Sequence, residues 1–214
     1  SPSAVAGHSL GEFSSLVANN TISFEDGLKL VFLRAKAMQK SCEKSNGTMA
    51  AILGLDDKII KTTCESFDGN VIAANFNCPG QVVISGESND VKMICEKFNE
   101  IGARRSILLP VGGAFHSNLM NDAKFELKEA IHKTKFNNPI CPIYQNFTAQ
   151  KTTSIDIIKE NLINQLTAPV LWTQTINNMV NDGYLDYTEV GPGKVLQGLI
   201  RKINREATTQ SLLS

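Results

Sequence analysis

Residues 6 to 13 read AGHSLGEF. Ser9 stands between Gly7 and Gly11 at the spacing G-x-S-x-G, directly after His8. The small and branched run SAVAG leads in, and EFSSLVANN, with helix-like apolar spacing, leads out. Strand, tight turn with serine at the apex, helix is the context a nucleophile elbow needs. The same feature limits the fold, because strands that alternate with helices call for a sheet covered by helices. The alternative is a glycine-flanked turn serine with no chemistry.

The chain has 214 residues, enough for one sizeable domain or one domain with an insertion. Lys+Arg and Asp+Glu balance at 21 each, so no global field calls for nucleic acid or a membrane surface. Cys42, Cys64, Cys78, Cys95 and Cys141 are odd in number and contain no C-x-x-C pair. They read as reduced thiols in the cytoplasm, or in an organelle matrix if the source is eukaryotic, and not as a disulfide frame or a metal site. No apolar run is long enough to span a bilayer. The chain opens on Ser-Pro without a methionine.

A helix is predicted from about Phe24 to Lys44, started by Ser23 with Asp26 three residues on. On a helical wheel at about 100° per residue, Lys29, Lys36 and Lys40 share one stripe. Arg34 falls on the other side, among Leu30, Val31, Ala37 and Met38. A guanidinium placed there stays charged and needs an anion. A protein carboxylate would make it an internal salt bridge; a ligand carboxylate or phosphate would make it a binding residue.

Residues 46 to 111 carry a second pattern. TMAAILGL, VIAANF, QVVISG and RRSILLPV read as strands, and DDKIIKTTCESF and ESNDVKMICEKFNEIG as helices. The order β-α-β-β-α-β is ferredoxin-like. It is expected as an inserted subdomain, with residues 1–45 and 112–214 forming the catalytic core. The turn NFNCPGQ between its middle strands is more polar than a hairpin needs, and is read either as a cleft lining or as a plain surface loop.

VGGAFHSNLM follows, with His116 behind two glycines. His8 adjoins Ser9, but neighbours around an elbow point apart, and His132 sits at an exposed helix end. His116 is therefore the candidate base for Ser9, 107 residues further on. The remainder alternates again. PICPIYQNFT and YLDYTEVGPG read as strands; SIDIIKENLINQLT, VLWTQTINNMVNDG and KVLQGLIRKI read as helices. A parallel sheet with helices on both faces is implied. In such a domain the nucleophile strand is central, so a segment before Ser1 is expected to complete the sheet.

GHSLGEF, LRAKAMQ, GTMAAILGL, NFNCPGQVVISG, GGAFHS, QLTAPVLW and EVGPGKVLQGL occur in that order over nearly the whole chain. Together they resemble the malonyl-CoA:acyl-carrier-protein transacylases, the acyltransferase family of fatty acid and polyketide synthesis. The resemblance implies an α/β-hydrolase-like parallel-sheet core with an inserted ferredoxin-like subdomain. It implies Ser9 as the nucleophile, His116 as its base, and the Leu10 backbone N–H as an oxyanion donor. Backbone carbonyls would orient the histidine, with Gln165 in a supporting role beside it; a helix-capping glutamine is the alternative. Arg34 would bind the malonyl carboxylate, Phe115 would meet any branch on the acyl chain, and His8 and Asn77 would complete the substrate site. The family's N-terminal part, with an oxyanion-hole glutamine in a Gly-Gln-Gly turn, has no counterpart in this chain.

The resemblance further implies no metal and no cofactor, since the phosphopantetheine arm arrives on the partner. The expected partners are malonyl-CoA and acyl carrier protein, met by a monomer. Arg201, Lys202, Arg205 and Lys194 form a candidate cationic docking patch; a solvated helix end with cations at its negative pole is the alternative. Three other readings stay open: a polyketide-synthase acyltransferase, a serine esterase of the α/β-hydrolase type, and an inactive carrier-docking module. The esterase would require an acid after the last strands and leaves Arg34 unexplained.

Overall fold

The computed structural model describes residues 1–212. Strand β1 (Val5–Ala6) runs into the turn that carries Ser9, and helix α1 (Gly11–Ala18) starts directly behind it. Helix α2 (Phe24–Lys44) begins where expected, with the Ser23 side chain accepting from the Asp26 N–H. Leu30, Arg34, Ala37 and Met38 are buried, while Lys29, Lys36 and Lys40 face solvent.

Four strands form an antiparallel sheet. They are β2 (Gly47–Leu53), β3 (Val71–Cys78), β4 (Gln81–Glu87) and β5 (Arg105–Leu108), in spatial order β3-β4-β2-β5. Helices α3 (Asp57–Ser66) and α4 (Ser88–Glu100) bury Ile60, Val91, Ile94 and Phe98 against it. Each helix links two strands that are separated by one other, which is the ferredoxin-like arrangement. Its other face packs Met49, Ala74 and Val83 with Phe115. The outer edge of β3 is hooked to the rest of the molecule. Phe76 N–H donates to the Val170 carbonyl at 2.9 Å, and Val170 N–H to the Ala74 carbonyl at 2.8 Å.

Helix α5 (Asn121–Lys133) follows His116 through a short 3-10 turn, Asn118–Met120. Then come β6 (Ile143–Tyr144), β7 (Lys151–Thr152), α6 (Ile155–Gln165), α7 (Trp172–Asn181), β8 (Asp186–Glu189), α8 (Val195–Ile203) and β9 (Thr208–Ser211). β1 pairs in parallel with β6, Val5 opposite Ile143 and Ala6 opposite Tyr144. Phe13, Leu16, Leu30, Met120, Leu127 and Leu162 fill the core between α1, α2, α5 and α6. The fold is α/β, an α/β-hydrolase-like core joined to a ferredoxin-like unit.

Two details differ from the expectation of one uniformly parallel sheet. β7 runs antiparallel to β6, and β8 and β9 form a parallel pair of their own. The segment PICPIYQNFT supplies only two strand residues, because Pro142 has no N–H to give a ladder and the chain turns at Gln145, whose carbonyl accepts from Ala149 N–H at 2.8 Å. β9 is unpredicted, because TTQS alternates exposed with half-buried polar residues and shows no apolar period.

Candidate active site

The elbow is set by a close approach. A Cβ on Gly7 would lie 1.9 Å from the Gly11 carbonyl carbon and 2.4 Å from the Glu12 nitrogen, so only glycine lets α1 start this near β1. A Cβ on Gly11 would meet nothing within 4 Å. The turn forces Ser9 to φ +52°, left-handed for a residue with a side chain. Leu10 is already helical, at φ −53° and ψ −35°. Its N–H heads α1 and has no hydrogen-bond partner among the described residues.

His116 comes to Ser9 from the far side of the ferredoxin-like unit. It too has positive φ, +61°. Gly113 precedes it in close contact with α2, since a Cβ there would lie 2.1 Å from Cys42 Sγ. The His116 Nε2 to Ser9 Oγ distance is 2.8 Å. Nδ1 is 2.8 Å from the Gln165 carbonyl oxygen. A carbonyl only accepts, so Nδ1 carries the proton and Nε2 is free to accept from the Ser9 hydroxyl. Burial lowers the His116 pKa to about 4, with the Arg34 charge pushing the same way. The imidazole is therefore neutral near pH 7 and can take a proton.

Gln165 ends α6 and is fully buried. Its side-chain Nε2 donates to the Ser9 carbonyl at 3.1 Å. It thus holds the histidine with its backbone and the serine with its side chain.

Arg34 reaches the same oxygen. Its Nη2 donates to Ser9 Oγ at 2.8 Å. Among the described residues the guanidinium forms no ion pair, and its buried Nε has no partner. Burial brings its pKa down to about 10, opposed by the field of Glu12, so it remains a cation. Among the described residues no carboxylate meets it directly.

His8 and Asn77 meet each other. His8 Nε2 is 2.8 Å from Asn77 Oδ1, and the His8 ring lies against Trp172 at 5.6 Å between centroids. Burial lowers the His8 pKa. The pair ties the elbow to β3. Phe115 is half-buried where the main core meets the second face of the ferredoxin-like sheet.

Two site residues escape the sequence reading. Asn146 accepts from the Ser9 N–H at 2.6 Å through Oδ1 and donates to the Gly7 carbonyl at 2.7 Å through Nδ2. Glu12 is fully buried and accepts from the Asn146 N–H. Burial raises the Glu12 pKa to about 8, against the pull of that N–H. The GHSLGE run signals Glu12, but an acid at a helix start normally reads as a surface residue favoured by the dipole.

The chain matches the acyl transferase domain family over residues 1–212. A Bacillus subtilis protein named malonyl CoA-acyl carrier protein transacylase is 42% identical over 211 residues, covering 97% of this chain and 67% of that protein. A Staphylococcus aureus protein of the same name is 40% identical, covering 99% and 70%. Among solved structures, an acyl-carrier-protein S-malonyltransferase from Burkholderia pseudomallei superposes with TM-score 0.96 at 39% identity, covering 100% of this chain and 70% of that one. A type II PKS acyl-carrier protein in complex with its malonyl-transacylase gives TM-score 0.95 at 36% identity, covering 99% and 69%.

Proposed function

Because the chain belongs to the acyl transferase domain family, we propose that it moves the malonyl group from malonyl-CoA to the phosphopantetheine thiol of acyl carrier protein in fatty acid biosynthesis. The observation that carries this reading is the crowding of one oxygen. Ser9 Oγ faces a neutral base and a guanidinium that has no ion pair among the described residues, both at 2.8 Å. A hydroxyl with a base is general acyl-transfer equipment; a buried cation beside it suits an acyl group that carries its own carboxylate.

The geometry supports the following steps. Ser9 Oγ attacks the thioester carbon as its proton passes to His116 Nε2. The carbonyl oxygen gains the charge, and the Leu10 N–H is the donor placed for it. Collapse breaks the C–S bond, and His116 returns the proton to the departing CoA sulfur. The carrier thiol then attacks the malonyl-Ser9 ester, giving its proton to His116. The Ser9 oxygen leaves and takes that proton back. One thioester is exchanged for another, so no net driving force is needed. The protein then works with no metal or cofactor of its own.

Arg34 selects malonyl over acetyl, because acetyl leaves the guanidinium without a carboxylate partner. Phe115 limits branching on the acyl chain, and the His8–Asn77 pair lines the thioester side. Residues 1–45 and 112–214, of which 213–214 lie outside the described residues, are read as the catalytic core, and 46–111 as an inserted subdomain. Lys194, Arg201, Lys202 and Arg205 are all exposed. Lys202 Nζ lies 3.5 Å from Gln81 Oε1, on the hairpin that follows Asn77, which supports a cationic patch near the active-site mouth for an acidic carrier. No helix among the described residues is long and apolar enough to cross a membrane. The five free thiols suit a reducing compartment, and we place the protein in the cytoplasm as a monomer.

A carrier from polyketide synthesis is the second reading, favoured by the likeness to the type II PKS complex. An esterase is not favoured, because His116 Nδ1 is met by a backbone carbonyl and not by a carboxylate. Isotope exchange between labelled CoA and malonyl-CoA, with no carrier present, tests the proposal. Exchange is expected, since the first half-reaction stands alone in a ping-pong scheme. Its absence, with the protein folded, would overturn the reading.

A further inference from the structure

The β1–β6 ladder ends at Ala6 opposite Tyr144. Beyond it the two chains diverge, because residues 7 to 10 bend into the elbow. The next two rungs would have satisfied the peptide groups of residues 7 to 9. One side-chain amide takes their place. Asn146 Nδ2 donates to the Gly7 carbonyl at 2.7 Å, and its Oδ1 accepts from the Ser9 N–H at 2.6 Å. An asparagine can do both at once, as a peptide group does; an aspartate or a leucine of similar size cannot.

Asn146 is itself fixed. Its side chain is fully buried, and its backbone N–H donates to the Glu12 carboxyl, also fully buried, in the first turn of α1. The loop is therefore closed: Glu12 follows Ser9 by three residues, holds Asn146, and Asn146 holds Ser9. Gln165 Nε2 lies 3.5 Å from the same Oδ1 and donates to the Ser9 carbonyl. Both backbone polar groups of a residue at φ +52° are thus pinned by side chains. Left-handed backbone at a non-glycine residue persists only when its surroundings over-determine it.

We propose that Asn146 is a positioning residue for the Ser9 nucleophile, set in place by Glu12. Asn146 does not touch the reacting atoms. It fixes the peptide from which Oγ projects, and so the line from Oγ to His116 Nε2. The adjoining Leu10 N–H shares its peptide with the Ser9 carbonyl, which Gln165 Nε2 holds from the other side. The proposal rests on the reading of Ser9 as the nucleophile.

The test measures the rate at which Ser9 of the full chain is labelled by malonyl-CoA and, separately, by phenylmethylsulfonyl fluoride, which needs no malonyl site. Asn146→Ala is expected to slow both by about 10²-fold, the scale of a small misplacement of reacting groups. The half-saturating malonyl-CoA concentration should stay within about twofold, since binding groups are untouched. Asn19→Ala is the packing control. Asn19 is equally buried and bridges the Cys141 carbonyl and Thr21 away from the site, so it should lose melting temperature and keep the labelling rate. Asn146→Ala labelled at the wild-type rate would overturn the proposal. If that variant does not fold, Glu12→Ala and Glu12→Gln decide. Slow labelling in the first, restored in the second, supports the proposal; wild-type labelling in Glu12→Ala overturns it. A wild-type chain that neither reagent labels at Ser9 would instead remove the nucleophile reading itself.

Discussion

The guanidinium of Arg34 donates to the Ser9 hydroxyl oxygen at 2.8 Å, while His116 Nε2 approaches that oxygen from another side at the same distance. Under the proposed roles, the contact joins the residue that selects the acyl group to the nucleophile. On that reading, a malonyl carboxylate that drew Arg34 to itself would also release Ser9 Oγ from a cation that holds its lone pair. Selection for malonyl is therefore expected in the rate of acylation as well as in binding.

Arg34→Ala tests this. Malonylation of Ser9 should fall by about 10²-fold or more, because the substrate carboxylate is then buried without a partner. Acetylation should be kept or rise. Rapid-quench measurement of both acyl-Ser9 species decides it. Equal loss of both, with loss of helical circular dichroism, would assign Arg34 to folding alone.

The glycines of the elbow should behave differently. Gly7→Ala puts a methyl group against backbone that cannot yield, and should cost about 3 kcal/mol or more in chemical denaturation. Gly11→Ala meets nothing within 4 Å in the first turn of α1, and should be neutral or stabilising by up to about 1 kcal/mol. Similar losses at both would contradict the close-approach account.

The same elbow shows how far the sequence could be read. Gly7, Ser9 and the strand-helix switch are local, so spacing alone finds them. Arg34 is legible because 3.6-residue periodicity puts it with Leu30, Ala37 and Met38 and apart from three lysines. The ferredoxin-like unit is legible because each strand and helix keeps its own period. Asn146 is not, since YQNFT looks like a polar strand end and its partner Ser9 lies 137 positions away. His8 and Asn77 stand out by type, but their pairing across 69 positions does not. The strands β7 and β9 fail for want of apolar residues.

Acid and base limits follow from two buried groups with opposite signs. His116 has its pKa lowered from 6.5 to about 4. The unfolded chain binds this proton more readily, so its contribution to stability is present above 6.5 and is lost as pH falls toward 4. Glu12 has its pKa raised from 4.5 to about 8. The folded chain binds this proton more readily, so that contribution is present below 4.5 and is lost as pH rises toward 8. Between 6.5 and 8 Glu12 acts alone of the two. Glu12→Gln should remove the decline in stability over that interval, measured by urea midpoints against pH. An unchanged decline in the variant would place its cause elsewhere.

Charge reversal of Arg201 and Arg205 should raise the KM for the carrier by about 10-fold at low salt, because exposed charges act mainly on encounter. Acylation of Ser9 by malonyl-CoA should be unchanged. A carrier half-reaction that does not respond would move docking to the ferredoxin-like unit near Arg104 and Arg105, and steady-state kinetics at two salt concentrations separates the cases.

Ser9, His116 and Arg34 are expected to act together in forming a malonyl-serine. Intact-mass spectrometry of the chain after brief exposure to malonyl-CoA tests this directly. A single malonyl adduct is expected in the wild type, mapped by peptide digestion to Ser9 and absent from Ser9→Ala. Its formation should slow in acid as His116 takes up a proton near pH 4. An adduct that persists in Ser9→Ala, or one mapped to a cysteine, would contradict that expectation.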